Sequence, residues 1–187
     1  MELIEAIRTR RSIRRFKDEQ IPEQTIRELL ELAIWAPNGM NRQPWVFAVV
    51  QDREFLQRLS EQAKASLLER VEALPVLERY SRLMANPKFN VFYNAPTLVL
   101  IYGDTGALTF RYDCSLAAHN LMLAAWDRGI GSCWIGFAHF VCDTPELKEE
   151  FNVPKDHELV ASIILGYPET VPSKGKRREP HIVSWKK

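Results

Sequence analysis

The sequence predicts a single layered domain of the α/β or α+β class. Segments with helical periodicity alternate with short apolar runs that are typical of buried strands. The chain has 187 residues, of which 46% are hydrophobic, and this suits one compact domain or an intimate oligomer of such domains. Because no internal repeat or linker interrupts the pattern, we expect one domain over 1–187.

The helices are predicted from the spacing of apolar residues and from stop signals. In the second helix Ile26 and Leu29 fall on one face, and the run from Pro37 to Gly39 ends it. The fourth helix is apolar nearly all round, which predicts burial on most sides. The predicted helices cover residues 2–9, 22–35, 53–70, 109–128 and 145–151.

Strands are predicted where apolar residues form short continuous runs. They cover residues 45–50, 97–102, 131–135 and 159–165. Residues 75–95 are less regular and predict one or two helical turns followed by a loop, with no chemistry assigned. The tail, residues 168–187, is rich in proline, lysine and arginine and has no core pattern.

Charge and composition exclude several classes of protein. The net charge of +1 argues against a nucleic-acid-binding domain, and no apolar run is long enough to cross a membrane. The first residues do not resemble a signal peptide, so we expect a cytoplasmic protein. The 3 cysteines form no C-x-x-C pair, and His139 with Cys142 supplies only two close ligands, so no metal site is predicted.

The most informative segment is Arg8–Phe16, where arginines crowd around one serine. Guanidinium groups present planar forks that match phosphate oxygens, and the Ser12 hydroxyl can donate to the same group. A dense basic cluster in a nearly neutral chain indicates a specific anionic ligand. Alone, the cluster is equally typical of a solvated surface turn.

Common nucleotide-binding motifs are absent from the sequence. The glycines at 129, 131 and 136 follow a predicted helix rather than a strand, so they do not form a Rossmann fingerprint. No Lys-Ser or Lys-Thr pair follows Gly136, which excludes a P-loop. A phosphate ligand must therefore be bound in another way.

Three further segments carry candidate binding groups. The loop Ala36–Trp45 contains Asn38, Asn41 and Gln43, whose amides both donate and accept hydrogen bonds and suit the polar edge of a heterocycle. The segment Gly131–Gly136 can present backbone N–H groups to a ring, although alone it is more typical of a buried strand. The segment Ser173–Arg178 is a second basic cluster, which alone is more typical of a loose tail.

Together these segments resemble the nitroreductase family of FMN-dependent oxidoreductases. The matching motifs, in the family's order, are Arg10-Arg-Ser-Ile-Arg14, Ala36-Pro-Asn-Gly-x-Asn-x-Gln-Pro-Trp45, Asn94-Ala-Pro96, Asn120-Leu-x-Leu-Ala-Ala125, Gly129-Ile-Gly-Ser-Cys-Trp-Ile-Gly136 and Lys176-Arg177. The resemblance implies an α+β fold with a central mixed sheet flanked by helices. It also implies an intertwined homodimer with two FMN sites at the interface, and a tail that crosses to the partner subunit.

The resemblance also implies roles for individual residues. Arg10 and Ser12 would hold the FMN phosphate, with Arg11 nearby and with Lys176 and Arg177 joining from the tail. Arg14 would reach the N1/O2 side of the flavin ring. The segment Trp134–Gly136 would lie against the same ring, and Ile135 and Gly136 would offer backbone N–H groups to N5 and O4. The residues implied to come from the other subunit are Pro37, Asn38, Gly39, Asn41 and Gln43.

The function implied by the resemblance is hydride transfer from NAD(P)H through flavin N5 to a nitro-aromatic, a quinone or a similar conjugated acceptor. The cofactor does the chemistry and the protein supplies orientation and electrostatics, so no catalytic side chain is required. The alternatives are a relative with another reaction, such as reductive dehalogenation or flavin destruction, and an FMN-binding protein without turnover.

Overall fold

The fold is a four-stranded sheet covered by helices on both faces, seen in a computed structural model that describes residues 1–173, 175 and 177–187. The helices are α1 (Leu3–Thr9), α2 (Glu23–Ala33), α3 (Arg53–Glu69), α4 (Glu78–Met84), α5 (Phe110–Asp127), α6 (His139–Cys142) and α7 (Pro145–Glu150). The strands are β1 (Trp45–Val50), β2 (Thr97–Asp104), β3 (Gly131–Trp134) and β4 (His157–Gly166).

The sheet has the order β1-β2-β4-β3, and each of its three ladders is antiparallel. A single parallel bridge joins Ser12 to Ser132 beside β3, and this bridge makes the sheet mixed. The predicted α+β fold with a mixed central sheet is therefore confirmed. The central strand β2 begins with the largely apolar run Thr-Leu-Val-Leu-Ile-Tyr, which suits a strand that is covered on both faces.

The sheet separates two hydrophobic clusters. On one face α2 and α5 pack through residues such as Leu29 and Leu121. On the other face α3, α4 and the short helices pack through residues such as Leu59 and Met84, with Cys133 of β3 among them. Successive residues of a strand point to opposite faces, so each strand contributes to both clusters.

Most predicted elements agree with the observed ones to within about two residues at each end. The strand at 45–50 has the predicted bounds, and the irregular region holds a 3₁₀ turn at Pro75–Leu77 followed by α4. The helix α6 was not predicted, because 4 residues are too few to display a helical period. The predicted strand at 159–165 begins two residues later than β4, because His157 and Glu158 are polar but still pair with β2.

The N-terminal helix differs from the other helices because its apolar stripe is not covered. Leu3, Ile4 and Ile7 are all more than half exposed, and only Ala6 of α1 is buried. The tail is similar, with Val183 and Trp185 largely exposed. Within the described residues, no helix has both the length and the apolar character needed to cross a bilayer.

Candidate functional site

The arginine knot, which we define as residues Arg10–Arg14, runs beside β3. The Ile13 N–H donates to the Ser132 carbonyl at 2.9 Å, and the Ile13 side chain is fully buried against Gly131. In an extended chain, alternate side chains share a side. Because Ile13 points into the core, Arg10, Ser12 and Arg14 are left on the side away from it.

The side chains of Arg10, Ser12 and Arg14 all lie close enough to Cys133 of β3 to affect the pKa of its thiol. Burial raises the pKa of this thiol, and the charges of Arg14 and Arg10 and a hydrogen bond from Ser12 act in the opposite direction. Arg14 itself is exposed, and its guanidinium carbon lies 5.7 Å from the centre of the Tyr93 ring. The structure therefore brings together the three knot residues that the sequence assigned to the phosphate and the ring.

The knot contains buried polar atoms without partners. Among the described residues, Arg10 Nη1 and Arg11 Nε have no acceptor although both atoms are buried. Arg11 does use Nη1, which donates to the carbonyls of Arg8 and Arg10 at 2.9 and 2.8 Å. A buried donor without an acceptor costs about 1–3 kcal/mol, more for a charged group, so these atoms fit an anion such as a phosphate.

Charge repulsion at the knot supports the same conclusion. Burial lowers the pKa of the Arg10 guanidinium, and the positive charges of Arg11 and Arg177 lower it further. The structure thus places the tail residue Arg177 within electrostatic reach of Arg10 in the same chain. Lys176, the other predicted tail contact, lies outside the described residues. An anion bound here would relieve the repulsion between these like charges.

The amide loop, which we define as residues Pro37–Gln43, has an unusual backbone. Met40, Asn41 and Gln43 have φ values of 53°, 52° and 49°, in the left-handed region that non-glycine residues avoid. The Asn38 side chain supports this shape, since its Oδ1 accepts from the Gln43 N–H at 2.9 Å and its Nδ2 donates to the Ala36 carbonyl at 3.3 Å. The side chains of Asn41 and Gln43 remain exposed.

A buried carboxylate anchors the amide loop to α5. Asp113 is 3% exposed, and its two oxygens accept from the Gly39 N–H, each at 3.3 Å. Thr109 Oγ1 donates to Asp113 Oδ2 at 2.9 Å. Sequence reasoning did not single out Asp113, because an acidic residue in the first turn of a helix is common and does not by itself indicate burial.

The end of β3 presents backbone groups beside the knot. The Ile135 N–H donates to the Ser162 carbonyl at 2.8 Å and is engaged in the sheet, so the prediction that it serves as a free donor is wrong. Gly136 is left for that role. A Cβ at position 136 would meet no described atom within 4 Å, and its φ is not left-handed, so neither packing nor conformation within the chain requires glycine there. Trp134 is 39% exposed at the same end.

The arginine knot and the amide loop lie at opposite ends of the chain's central elements. The loop is anchored at Asp113, in the first turn of α5, and the knot follows Thr9, whose hydroxyl accepts from Trp126 Nε1 at 2.9 Å. Asp113 and Trp126 are separated along α5 by about 20 Å at 1.5 Å per helical residue. The knot and the loop are therefore attached near opposite ends of α5. The Cys133 thiol, which the knot side chains approach, belongs to the hydrophobic cluster on the face of the sheet opposite α5.

The fold and these groups define an α+β protein with an anion site on one side and a separately built polar loop on the other. The chain belongs to the nitroreductase family, whose model matches residues 7–167. Membership of this family makes the protein an oxidoreductase.

Individual relatives and structures agree over the whole chain. A protein of Methanothermobacter thermautotrophicus, provisionally named an NADH dehydrogenase/NAD(P)H nitroreductase, is 28% identical over 99% of this chain and 88% of its own length. The iodotyrosine deiodinase of Thermotoga neapolitana is 28% identical over 95% of this chain and 94% of its own. The crystal structure of a Bacteroides fragilis nitroreductase with bound FMN has a TM-score of 0.85 and 28% identity, with 100% of both chains covered.

Proposed function

We propose that this protein is an FMN-dependent oxidoreductase that takes hydride from NAD(P)H and reduces a nitro-aromatic, quinone or similar conjugated acceptor. The carrying observation is the pair of buried, unpartnered guanidinium atoms at Arg10 and Arg11, which need an anion. Bound FMN supplies the redox chemistry, and the protein binds it, orients it and surrounds it with fixed charge.

Each knot residue has a defined task in this proposal. Arg10 and Ser12 hold the phosphate, with Arg11 and Arg177 adding positive charge, and Lys176 is proposed to join them. Arg14 extends along the ring and places a permanent positive charge beside N1, which favours the reduced, anionic cofactor. Gly136 offers its N–H to the ring edge, and the open space at its Cα lets the ring approach closely.

The other half of each site comes from a second copy of the chain. Because the amide loop is attached to the first turn of α5 and the knot begins beside its last turn, attachment points about 20 Å apart, we propose that Asn41 and Gln43 reach a flavin held by the partner. Two-fold symmetry then gives two shared sites in each dimer. Exposed apolar side chains support this assembly, among them Ile4 of α1, Tyr112 of α5 and Trp185 of the tail, which is proposed to cross to the partner.

Reductive dehalogenation is the second candidate function, favoured by the similarity to an iodotyrosine deiodinase over 95% of this chain. It uses the same cofactor site and differs in the acceptor. An assay of both reactions on one preparation separates the candidates. Loss of absorbance from a nitro-aromatic during NADH or NADPH oxidation indicates the first, and halide release from an iodinated phenol indicates the second.

The cofactor itself is tested by the visible absorption spectrum of the purified protein. We expect a yellow protein whose heat-released cofactor co-migrates with FMN, the cofactor bound in the similar Bacteroides fragilis structure. A colourless protein that does not take up added FMN, or one that releases FAD, would contradict the proposal. Assays with NADH and with NADPH on the same sample identify the electron donor.

A further inference from the structure

The buried carboxylate of Asp113 is not explained by the hydrophobic core around it. Its neighbours on α5, Cys114 and Ala117, are fully buried in an apolar cluster. A carboxylate in such surroundings is costly unless it accepts hydrogen bonds. Asp113 accepts them from the amide loop and from Thr109, so its role lies with the loop rather than with the core.

The contact between the loop and α5 is close and specific. A Cβ at position 39 would lie 2.3 Å from Thr109 Oγ1, so only glycine allows the backbone to approach the hydroxyl and the carboxylate. The next residue, Met40, is left-handed and 95% exposed, which shows that its own side chain does not hold this backbone in place. The Asp113 carboxylate and the Asn38 amide are the groups that fix the loop on either side of it.

We propose that Asp113 is a positioning residue for the flavin held by the partner subunit. By accepting the Gly39 N–H it sets the position of Asn41 and Gln43, which project from the same turn. Asp113 therefore acts across the dimer and not on the flavin of its own chain. This inference rests on the proposed function, in which each FMN site is shared between two chains.

Mixed dimers test the direction in which Asp113 acts. Chains carrying Asp113→Ala are paired, through two different affinity tags, with chains carrying Arg10→Ala and Arg14→Ala. In such a dimer one site combines the intact knot of the first chain with the intact loop of the second, so we expect half of the native activity per dimer. Pairing Asp113→Ala with Asn41→Ala and Gln43→Ala damages the loop at both sites, and no recovery is expected.

A control pair separates this inference from the proposed function. The Arg10→Ala, Arg14→Ala chain paired with the Asn41→Ala, Gln43→Ala chain should recover half of the native activity if sites are shared at all. If this control fails, the shared site is wrong. If the control succeeds but Asp113→Ala recovers no activity with the Arg10→Ala, Arg14→Ala chain, the assignment of Asp113 is wrong. This holds whether or not Asp113→Ala recovers activity with the Asn41→Ala, Gln43→Ala chain.

Spectroscopy provides a measurement that a purely structural role would not affect. In homodimers, Asp113→Ala should keep FMN bound through the intact knot, yet shift its absorption band and midpoint potential in the direction that Asn41→Ala with Gln43→Ala produces. Asp113→Asn should restore both values, because its amide oxygen still accepts the Gly39 N–H and its NH₂ can donate to the Thr109 hydroxyl.

The adjacent core residue supplies a matched control for stability. Cys114→Ala removes a fully buried group from the same turn of α5 without touching the loop, so it should lower the melting temperature and leave the flavin spectrum and potential unchanged. If Asp113→Ala yields no soluble dimer, Thr109→Val removes one hydrogen bond to the same carboxylate and should give a smaller spectral shift of the same sign. An unchanged spectrum and potential in that variant would overturn the proposal.

Discussion

The arginine knot and the amide loop differ in whether their polar groups have hydrogen-bond partners. In the knot, buried nitrogen atoms of Arg10 and Arg11 have no acceptor among the described residues, and neighbouring positive charges oppose one another. In the loop, Asn38 accepts the Gln43 N–H and Asp113 accepts the Gly39 N–H, so the unusual backbone is held before any ligand arrives. The knot leaves hydrogen bonds for a ligand to complete, and the loop has partners for these groups within the chain.

This difference indicates how the proposed site divides its work. Affinity comes from the knot, where an anion completes unmade hydrogen bonds and offsets like charges. Orientation comes from the loop, where left-handed residues are held by internal hydrogen bonds, an arrangement that is typical of functional loops. The two parts should therefore respond differently to substitution, and three sets of variants test this expectation.

The largest effect is expected at Arg10. Arg10→Ala should weaken FMN binding by about 1.5–3 kcal/mol, the scale of a hydrogen bond to a charged group. Without FMN the same variant should melt at an equal or higher temperature, because it removes a buried donor that has no acceptor. Titration of the apoprotein with FMN and thermal melts of both forms measure these changes.

Arg15→Ala is the matched control, because Arg15 is an exposed neighbour of the knot. If it weakens FMN binding as much as Arg10→Ala does, general positive charge rather than the buried guanidinium holds the cofactor. A drop in the melting temperature of the Arg10→Ala apoprotein would show that the knot is satisfied without a ligand.

A pair of glycine substitutions separates stability from binding. Gly39→Ala should lower the free energy of unfolding by about 1–2 kcal/mol, because the new Cβ overlaps Thr109 Oγ1 and displaces it from Asp113. Gly136→Ala should change the stability of the apoprotein by less than about 0.5 kcal/mol, since its Cβ meets open space. It should nevertheless weaken FMN binding or slow the reaction, and denaturant unfolding with FMN titration measures both. Equal stability losses in the two variants would contradict the distinction.

The smallest effect is expected at Gln43. Gln43→Gly should raise the free energy of unfolding by up to about 1 kcal/mol, because glycine adopts the left-handed backbone of φ 49° without steric cost. The same change should reduce activity by removing the amide side chain. Arg42→Gly is the control, since Arg42 has an ordinary φ of −75° and its replacement should lower stability. Stabilisation in both variants would show that backbone strain is not the cause.

Much of the fold could be predicted from local pattern. The strand at 45–50 and the helix α2 were found because a continuous apolar run and helical periodicity, respectively, are local signals. The short helix α6 has too few residues for a period. The exposed stripe of α1 was visible in the sequence, but no local signal states whether such a stripe meets its own core or another chain.

The site could be predicted only in part. The sequence named the Arg-Ser cluster and the amides of the loop from their chemistry, and the structure brings Arg10, Ser12 and Arg14 together on one side of an extended segment. It could not show that the Ile135 N–H is used by Ser162, because that hydrogen bond joins residues 27 positions apart. It also missed Asp113, whose partner Gly39 lies 74 positions away.

The sequence by itself determined the periodicities, and with them a layered domain of the α/β or α+β class and the kinds of groups available for binding. Only the tertiary structure decided which of those groups remain unsatisfied and which are already paired. Hydrogen bonds and burial depend on residues far apart in the chain, and local composition does not record those distances. The same is true of the separation between the attachment points of the knot and of the loop, which the length of α5 sets and on which the proposed sharing of each site between two copies of the chain rests.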